Sequence, residues 1–252
     1  MISARGVSAG YGAHTILHGI SFALTPGTVT GILGPNGCGK TTLLRVLSRL
    51  LLPSAGRVKL GADDLARLGP RQTACRIALV PQEEAAAHPL TVRELVELGR
   101  TPYVGRFGWL HRRDRLAAEH AMREMDIHRA ADRLLEELSG GERKRAVVAR
   151  ALAQEAGVLL LDEPTVHLDV RHALDLLGLL RRLAAGGRTV VIASHEFWQL
   201  ARACDRLLLL DRGRLTSDGP PRRVLASAAC ARAFGVRIRL AGRGPSAVPV
   251  VG

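Results

Sequence analysis

Thr28-Val29-Thr30-Gly31-Ile32-Leu33 runs without a break into Gly34-Pro35-Asn36-Gly37-Cys38-Gly39-Lys40-Thr41-Thr42. The first six residues read as a buried strand, because β-branched and aliphatic side chains dominate them. Four residues separate Gly34 from Gly39, and Lys40 and Thr41 follow, which is the P-loop pattern. Leu43, Leu44, Leu47 and Leu50 then recur at helical spacing across residues 40–50. Strand, Gly-rich loop and helix in that order give the motif its physical sense. Glycines let backbone amides converge on phosphate oxygens, and the helix N-terminus adds the positive end of its dipole. Residues 34–42 are therefore expected to cradle a nucleotide. Lys40 would reach the β- and γ-phosphates, and the Thr41 hydroxyl would bind Mg2+.

A second strand, Val158-Leu159-Leu160-Leu161, ends in Asp162-Glu163. Hard divalent cations take oxygen ligands, so Asp162 is placed to hold Mg2+ directly or through water. Glu163, next to it, is expected to polarise an attacking water as general base. Lysine occurs only at 40, 59 and 144 among 36 basic residues, so a Lys at a phosphate-binding position looks chemically demanded.

Outward from these motifs, residues 2–9 and 16–24 read as strands split by a turn near Gly10 to Gly12, followed by a strand at 57–60. Further strands are predicted at 76–80, 158–162, 188–193 and 206–210, and an amphipathic helix at 170–185. Continuous apolar strands alternating with helices predict an α/β fold whose mostly parallel sheet is covered on both faces. Residues 84–138 read as a helical, polar insert with a Gly-rich, aromatic interruption at 99–110. The tail 242–252 has little to bury and is predicted to be disordered.

Leu138-Ser139-Gly140-Gly141-Glu142 precedes a helical stretch up to Gln154, and Ser-Gly-Gly alone would be a plain helix N-cap. Its place between the P-loop and Leu159-Leu160-Leu161-Asp162-Glu163-Pro164 makes it more. LSGGERKRAVVARAL resembles the signature of ATP-binding cassette (ABC) proteins, and the resemblance runs from about residue 2 to 225. It implies a single ABC ATPase domain over residues 1–241. This would comprise a P-loop NTPase core (about 1–83 and 139–241), an antiparallel β subdomain and the helical insert (about 84–138). It also implies a head-to-tail dimer in which Ser139, Gly140, Gly141 and Glu142 of one subunit close over the ATP of the other. Gln82, in LVPQE, matches the family's Q-loop glutamine, which senses Mg2+ and the attacking water and links the core to the insert. His195 matches the switch histidine at the γ-phosphate, and Tyr11 the aromatic that stacks on adenine. Leu168-Asp169 is similar to the end of the D-loop, which crosses the dimer interface. Val166-His167 stands where that loop ordinarily begins with Ser and Ala, and Cys38 stands where Ser is commoner. A thiol among helix N-terminal amides is expected to have a lowered pKa and to be reactive.

Thr91 to Tyr103, with Gly99-Arg100-Thr101-Pro102-Tyr103 at its end, is similar to importers of iron chelates (siderophores), haem and cobalamin. That likeness implies integral-membrane permease partners, served by a substrate-binding protein. Two other readings stay open on the sequence. One is a soluble ABC-type ATPase in iron–sulfur assembly or nucleic-acid repair, against which the lack of a long coiled-coil insertion and of a second P-loop argue. The other is a non-hydrolysing regulatory subunit, against which intact Lys40, Asp162, Glu163 and His195 argue.

Bulk composition agrees. The chain of 252 residues is 47% hydrophobic and 23% charged, an ordinary globular balance. No apolar run reaches the roughly 18 residues of a spanning helix, and no signal-peptide pattern opens the chain. A position in the cytoplasm, on the inner face of the cell membrane through a partner, is expected. The formal net charge of +13 is spread rather than clustered, and aromatics are only 3%, so a nucleic-acid partner is not expected. Four cysteines without metal-ligand spacing suit a reducing compartment.

Overall fold

The computed structural model describes residues 1–82, 89–105, 108–241 and 248–251. In chain order, β1 (Ile2–Tyr11) and β2 (His14–Leu24) form a hairpin. β3 (Val29–Leu33) then leads into α1 (Lys40–Leu47). β4 (Ala55–Leu60), β5 (Asp63–Asp64), α2 (Pro70–Ala74) and β6 (Ile77–Val80) follow. The middle of the chain holds α3 (Val92–Leu98), α4 (Arg112–Glu124) and α5 (Gly140–Ala153). Next come β7 (Val158–Asp162), α6 (Val170–Ala185), β8 (Thr189–Ser194), α7 (Phe197–Ala203), β9 (Arg206–Asp211) and β10 (Arg214–Gly219). α8 (Pro221–Leu225), α9 (Ala228–Phe234), β11 (Ile238–Ala241) and β12 (Val248–Val251) close the described chain.

The central sheet has the order β10-β9-β3-β8-β7-β6. Its four inner pairings join β9, β3, β8, β7 and β6 in parallel, and β10 alone is antiparallel, at the edge. A second sheet, β2-β1-β4-β5, is wholly antiparallel. This is the α/β architecture the strand pattern predicts, with its antiparallel subdomain. Strand alternation divides the core into two halves. Leu159 and Leu161 of β7, Val190 and Ile192 of β8, and Leu207 and Leu209 of β9 pack towards α3 to α7. Their neighbours Leu160, Val191 and Leu208 pack on the other face, with α1 and the antiparallel sheet. All five residues of β3 and of β7 are buried, which is why neither alternates with exposed polar residues.

The insert is built around α3 and α4; residues 84–88, 106 and 107 fall outside the described residues. Thr91 caps α3 with a reciprocal pair: its hydroxyl accepts from Glu94 N, and the Glu94 carboxylate accepts from Thr91 N at 2.8 Å. α3 and α4 share one core with α5. A Cβ on Gly99 would lie 2.2 Å from the Arg150 carbonyl oxygen, so this close crossing of α3 and α5 requires glycine. Arg100, 1% exposed, locks the junction. It donates to Asp114 at 3.1 Å, to the Ala153 carbonyl at 2.6 Å and to Glu155 at 2.7 Å. Its guanidinium also stacks 4.1 Å from the Tyr103 ring centroid. The motif Gly99 to Tyr103 is thus spent on fastening α3 and α4 to the end of α5.

Two sequence expectations differ from the fold. The hairpin turn is tighter than expected, since Tyr11 pairs with His14. Within the tail expected to be disordered, Val248–Val251 pairs antiparallel with Ile238–Ala241. Composition weighs what a segment can bury, whereas a β-ladder satisfies backbone groups whatever the side chains. Residues 242–247 and 252 lie outside the described residues.

Candidate nucleotide site

Four neighbouring parallel strands end on the same side of the central sheet, and each delivers a piece of the site there. Ligands of open α/β sheets bind at that carboxyl edge. β3 delivers the P-loop, β6 delivers Pro81-Gln82, β7 delivers Asp162-Glu163, and β8 delivers Ser194-His195. A cleft of ≈390 Å³ opens there. Asn36, Gly37, Gly39, Lys40, Thr41 and Thr42 form one wall, and Gln82, Asp162, Glu163 and His195 face them, with Ile16 at the side.

Gly39 adopts φ +106 immediately before α1, a left-handed turn that aims the first helical amides at the cleft. Gly34 is required for a different reason: a Cβ there would lie 2.2 Å from the Leu210 carbonyl oxygen and 2.5 Å from Cys38 Sγ. Lys40, on the first turn of α1, curls back over the loop. Its ammonium donates to the carbonyls of Gly34 (2.8 Å) and Pro35 (3.2 Å) and lies 3.9 Å from Glu163 Oε1. Thr41 Oγ1 donates to Asp162 Oδ2 at 2.6 Å.

Asp162 is 3% exposed, and burial raises its pKa, with the Thr41 hydrogen bond opposing and the Glu163 charge assisting. Its Oδ1 is buried without any hydrogen-bond partner. A buried carboxylate oxygen with no donor is costly unless a cation meets it. The donor set at that point is all oxygen: a carboxylate, a threonine hydroxyl and the Gln82 amide on the facing wall. Those residues fit Mg2+.

Glu163 is held more tightly still. It has φ +45, uncommon for a residue with a side chain, just past the end of β7. Its Oε2 accepts from Ser194 Oγ at 2.9 Å, and its Oε1 accepts from His195 N at 3.1 Å and pairs with His195 Nδ1 at 2.9 Å. A carboxylate offers about four lone-pair directions, and these contacts occupy three of them.

The remaining candidates do not line this cleft. Tyr11 is 42% exposed at the end of β1. Its hydroxyl accepts from Arg45 Nη1 at 2.8 Å, with the guanidinium carbon 5.9 Å from the ring centroid. Ser139 caps α5: its hydroxyl accepts from Glu142 N at 3.3 Å, and the Glu142 carboxylate accepts from Ser139 N at 2.9 Å. The Ser139 N–H and hydroxyl both donate to the Glu142 carboxylate and hold it below its usual range. Gly140 and Gly141 lie against His167, which has φ +68. Asp169 caps α6, accepting from His172 N and pairing with His172 Nδ1, both at 2.8 Å.

Cys38 corrects an expectation. Its thiol is 4% exposed beneath the loop, and burial raises its pKa above the ordinary thiol value. The Lys40 charge and amide lower it, but desolvation is larger. On the native protein, Cys38 is therefore expected to react with iodoacetamide more slowly than the half-buried Cys75, and guanidinium should abolish the difference. Peptide mass spectrometry over a time course reads this directly. Fast labelling of Cys38 that ATP prevents would restore the reactive-thiol picture.

Three further groups at the site escaped the sequence reading. Ser194 supports Glu163, and its hydroxyl also accepts from Glu196 N at 3.0 Å. Gln199 of α7 accepts a buried hydrogen bond from Thr165, just past Glu163. Lys144 of α5 donates to the carbonyls of Pro81 (3.1 Å) and Gln82 (3.2 Å). Burial pulls its ammonium down to about 8, against the nearby charges of Asp162 and Glu163. Only the rarity of lysine pointed towards it.

A phosphate-cradling loop, a strand-end carboxylate bonded to its Thr, and a buried Glu held by a His define a P-loop nucleotide-binding protein. A family model described as ABC transporter matches residues 17–166. The ferric enterobactin transport ATP-binding protein of Escherichia coli (strain K12) is 36% identical over 246 residues, covering 97% of this chain and 91% of that protein. The hemin import ATP-binding protein of Rhizobium meliloti (strain 1021) is 37% identical over 248 residues, covering 95% and 93%. Among solved structures, a chain of an inward-facing metal-chelate type ABC transporter superposes with TM-score 0.85 at 28% identity, covering 100% of this chain and 97% of that one. A dimeric bacterial ABC transporter cassette gives TM-score 0.79 at 28% identity, covering 88% and 100%. The chain belongs to the ABC transporter family, as its ATP-binding cassette. Among the described residues, no helix is long and apolar enough to cross a membrane.

Proposed function

We propose that this chain hydrolyses ATP as half of a head-to-tail dimer and so energises import of an iron chelate (siderophore), haem or cobalamin. The observation that carries hydrolysis is Glu163, buried, strained and donor-locked on the cleft wall opposite Lys40. The curated relatives carry the choice of cargo class: their names include ferric enterobactin, hemin and iron(3+)-hydroxamate.

In this reading residues 34–42 hold the phosphates, and Tyr11 offers its exposed ring face to the adenine. Mg2+ would be held by Thr41, Asp162 and Gln82, and when bound it neutralises phosphate charge. Lys40 exchanges its hold on the Gly34 and Pro35 carbonyls for phosphate oxygens. Glu163 orients a water and takes its proton, while His195 holds that carboxylate in place and meets the γ-phosphate. Ser139, Gly140, Gly141 and Glu142 of the second subunit present helix N-terminal amides to the same ATP, and Asp169 lies at the dimer seam. ATP then favours the closed dimer, and loss of the γ-phosphate releases it.

The partners in this proposal are a second copy of this chain and a pair of integral-membrane permease subunits. A substrate-binding protein acts on the far side. The chain sits on the inner face of the cell membrane, and nucleic acid has no part. Tagged Glu163→Gln protein, isolated with MgATP from gently solubilised native membranes, is expected to bring down a multi-helix permease, identified by mass spectrometry. Recovery only in the soluble fraction, with a scaffold protein or nucleic acid, would overturn transport.

A further inference from the structure

Lys144 is buried (7% exposed) in a chain whose other basic positions are almost all arginine. It stands on the second turn of α5, the helix that Ser139 caps. Its neighbours serve other surfaces: Arg143 donates to the Leu135 carbonyl at 3.2 Å, and Arg145 lies 3.9 Å from Asp126. Lys144 turns inward, to two consecutive carbonyls of the segment leaving β6. The Gln82 side chain on that segment lines the ATP cleft. A compact ammonium with three divergent donors can bridge adjacent carbonyls, whereas the planar guanidinium fork is matched to carboxylates and phosphates.

We propose that Lys144 is a positioning residue that ties the signature helix to the Gln82 loop of the same subunit. When α5 moves to cap the partner's ATP, the bridge from Lys144 to the Pro81 and Gln82 carbonyls carries that movement to Gln82. Engagement of one nucleotide at the dimer seam is thereby reported to the other. The tie adjusts a site rather than merely filling a gap, because both carbonyls belong to the residues that deliver Gln82. The inference rests on the proposed role of Gln82 in the ATP cleft.

Steady-state turnover, nucleotide affinity and amide exchange of the full chain test it together. Lys144→Met is expected to lower kcat about tenfold, with the affinity for a fluorescent ATP analogue unchanged within about twofold. Added to Gln82→Ala, the same substitution is expected to change kcat by less than about twofold, because the two residues act as a unit. Hydrogen exchange of the peptide containing Gln82 supplies a readout that needs no turnover. MgATP is expected to slow exchange in the wild type and not in Lys144→Met. If the Met variant fails to fold, Lys144→Gln carries the same measurements. Multiplicative losses with Gln82→Ala, or a lower Tm with kcat and exchange response retained, would assign Lys144 a purely structural role and overturn the proposal. A wild type without turnover but with the exchange response would sink hydrolysis and leave the Lys144 tie standing.

Discussion

Glu163→Gln keeps ATP binding and loses turnover by at least about 100-fold, the scale of a positioned general base. The substitution is nearly isosteric and the pocket can receive it. The amide oxygen takes the place of Oε1 and still accepts from His195 N. The amide nitrogen faces Ser194 Oγ, a hydroxyl that can rotate from donor to acceptor. What is lost is the negative charge and the proton acceptor. Removing a carboxylate from a cleft that must take up phosphate charge also removes repulsion, so ATP is held longer. The expected product is a stable ATP-bound dimer. Phosphate release and size-exclusion chromatography with MgATP read the two effects separately. Near-normal hydrolysis would remove Glu163 from the role of base.

Lys40→Ala has a different signature: nucleotide affinity falls together with turnover. The ammonium is buried, and in the proposed function it is the cation that the P-loop offers to phosphate oxygens. Hydrogen bonds to charged groups contribute about 1.5–3 kcal/mol, which corresponds to a roughly 10- to 150-fold weaker Kd. Turnover falls further, by about 100-fold or more, because developing charge on the transferred phosphoryl group is no longer met. Lys40→Arg is not expected to rescue. The fork is wider than a point charge, and Lys40 sits under the loop against the carbonyls of Gly34 and Pro35. Equilibrium binding of ATP followed by single-turnover hydrolysis separates the two losses. An unchanged affinity and rate would rule out the P-loop assignment.

At Cys38 burial overrides what the neighbouring residues favour. In sequence the thiol stands at a helix N-terminus beside Lys40, and both features lower a thiol pKa. The same loop geometry that aims amides at the cleft turns Cys38 inward against Gly34. Dehydration then outweighs both effects. A motif fixes which residues are adjacent along the chain, but burial belongs to the whole fold. The Gly99 to Tyr103 stretch carries a similar lesson. It read as a mark of kinship with one class of importer, and Arg100 within it holds the insert to the end of α5.

By itself, the amino-acid sequence determined the parallel core and the strand–loop–helix to which the proposed function gives phosphate binding. β3 and β7 are buried on both faces, so neither alternates with exposed polar residues, and each runs directly into residues to which the proposed function gives the chemistry. Glycine spacing, a Lys and a hydroxyl are local requirements of phosphate binding, and local requirements leave local marks. Only the tertiary structure decided what surrounds Glu163 and Gln82. Ser194 lies 31 residues from Glu163, and Lys144 lies 62 residues from Gln82. Their partnership exists because β7 and β8 are neighbours and α5 packs beside the end of β6. Contacts of that range cost loop-closure entropy that only a completed core repays, and nothing in the chain near either residue encodes them.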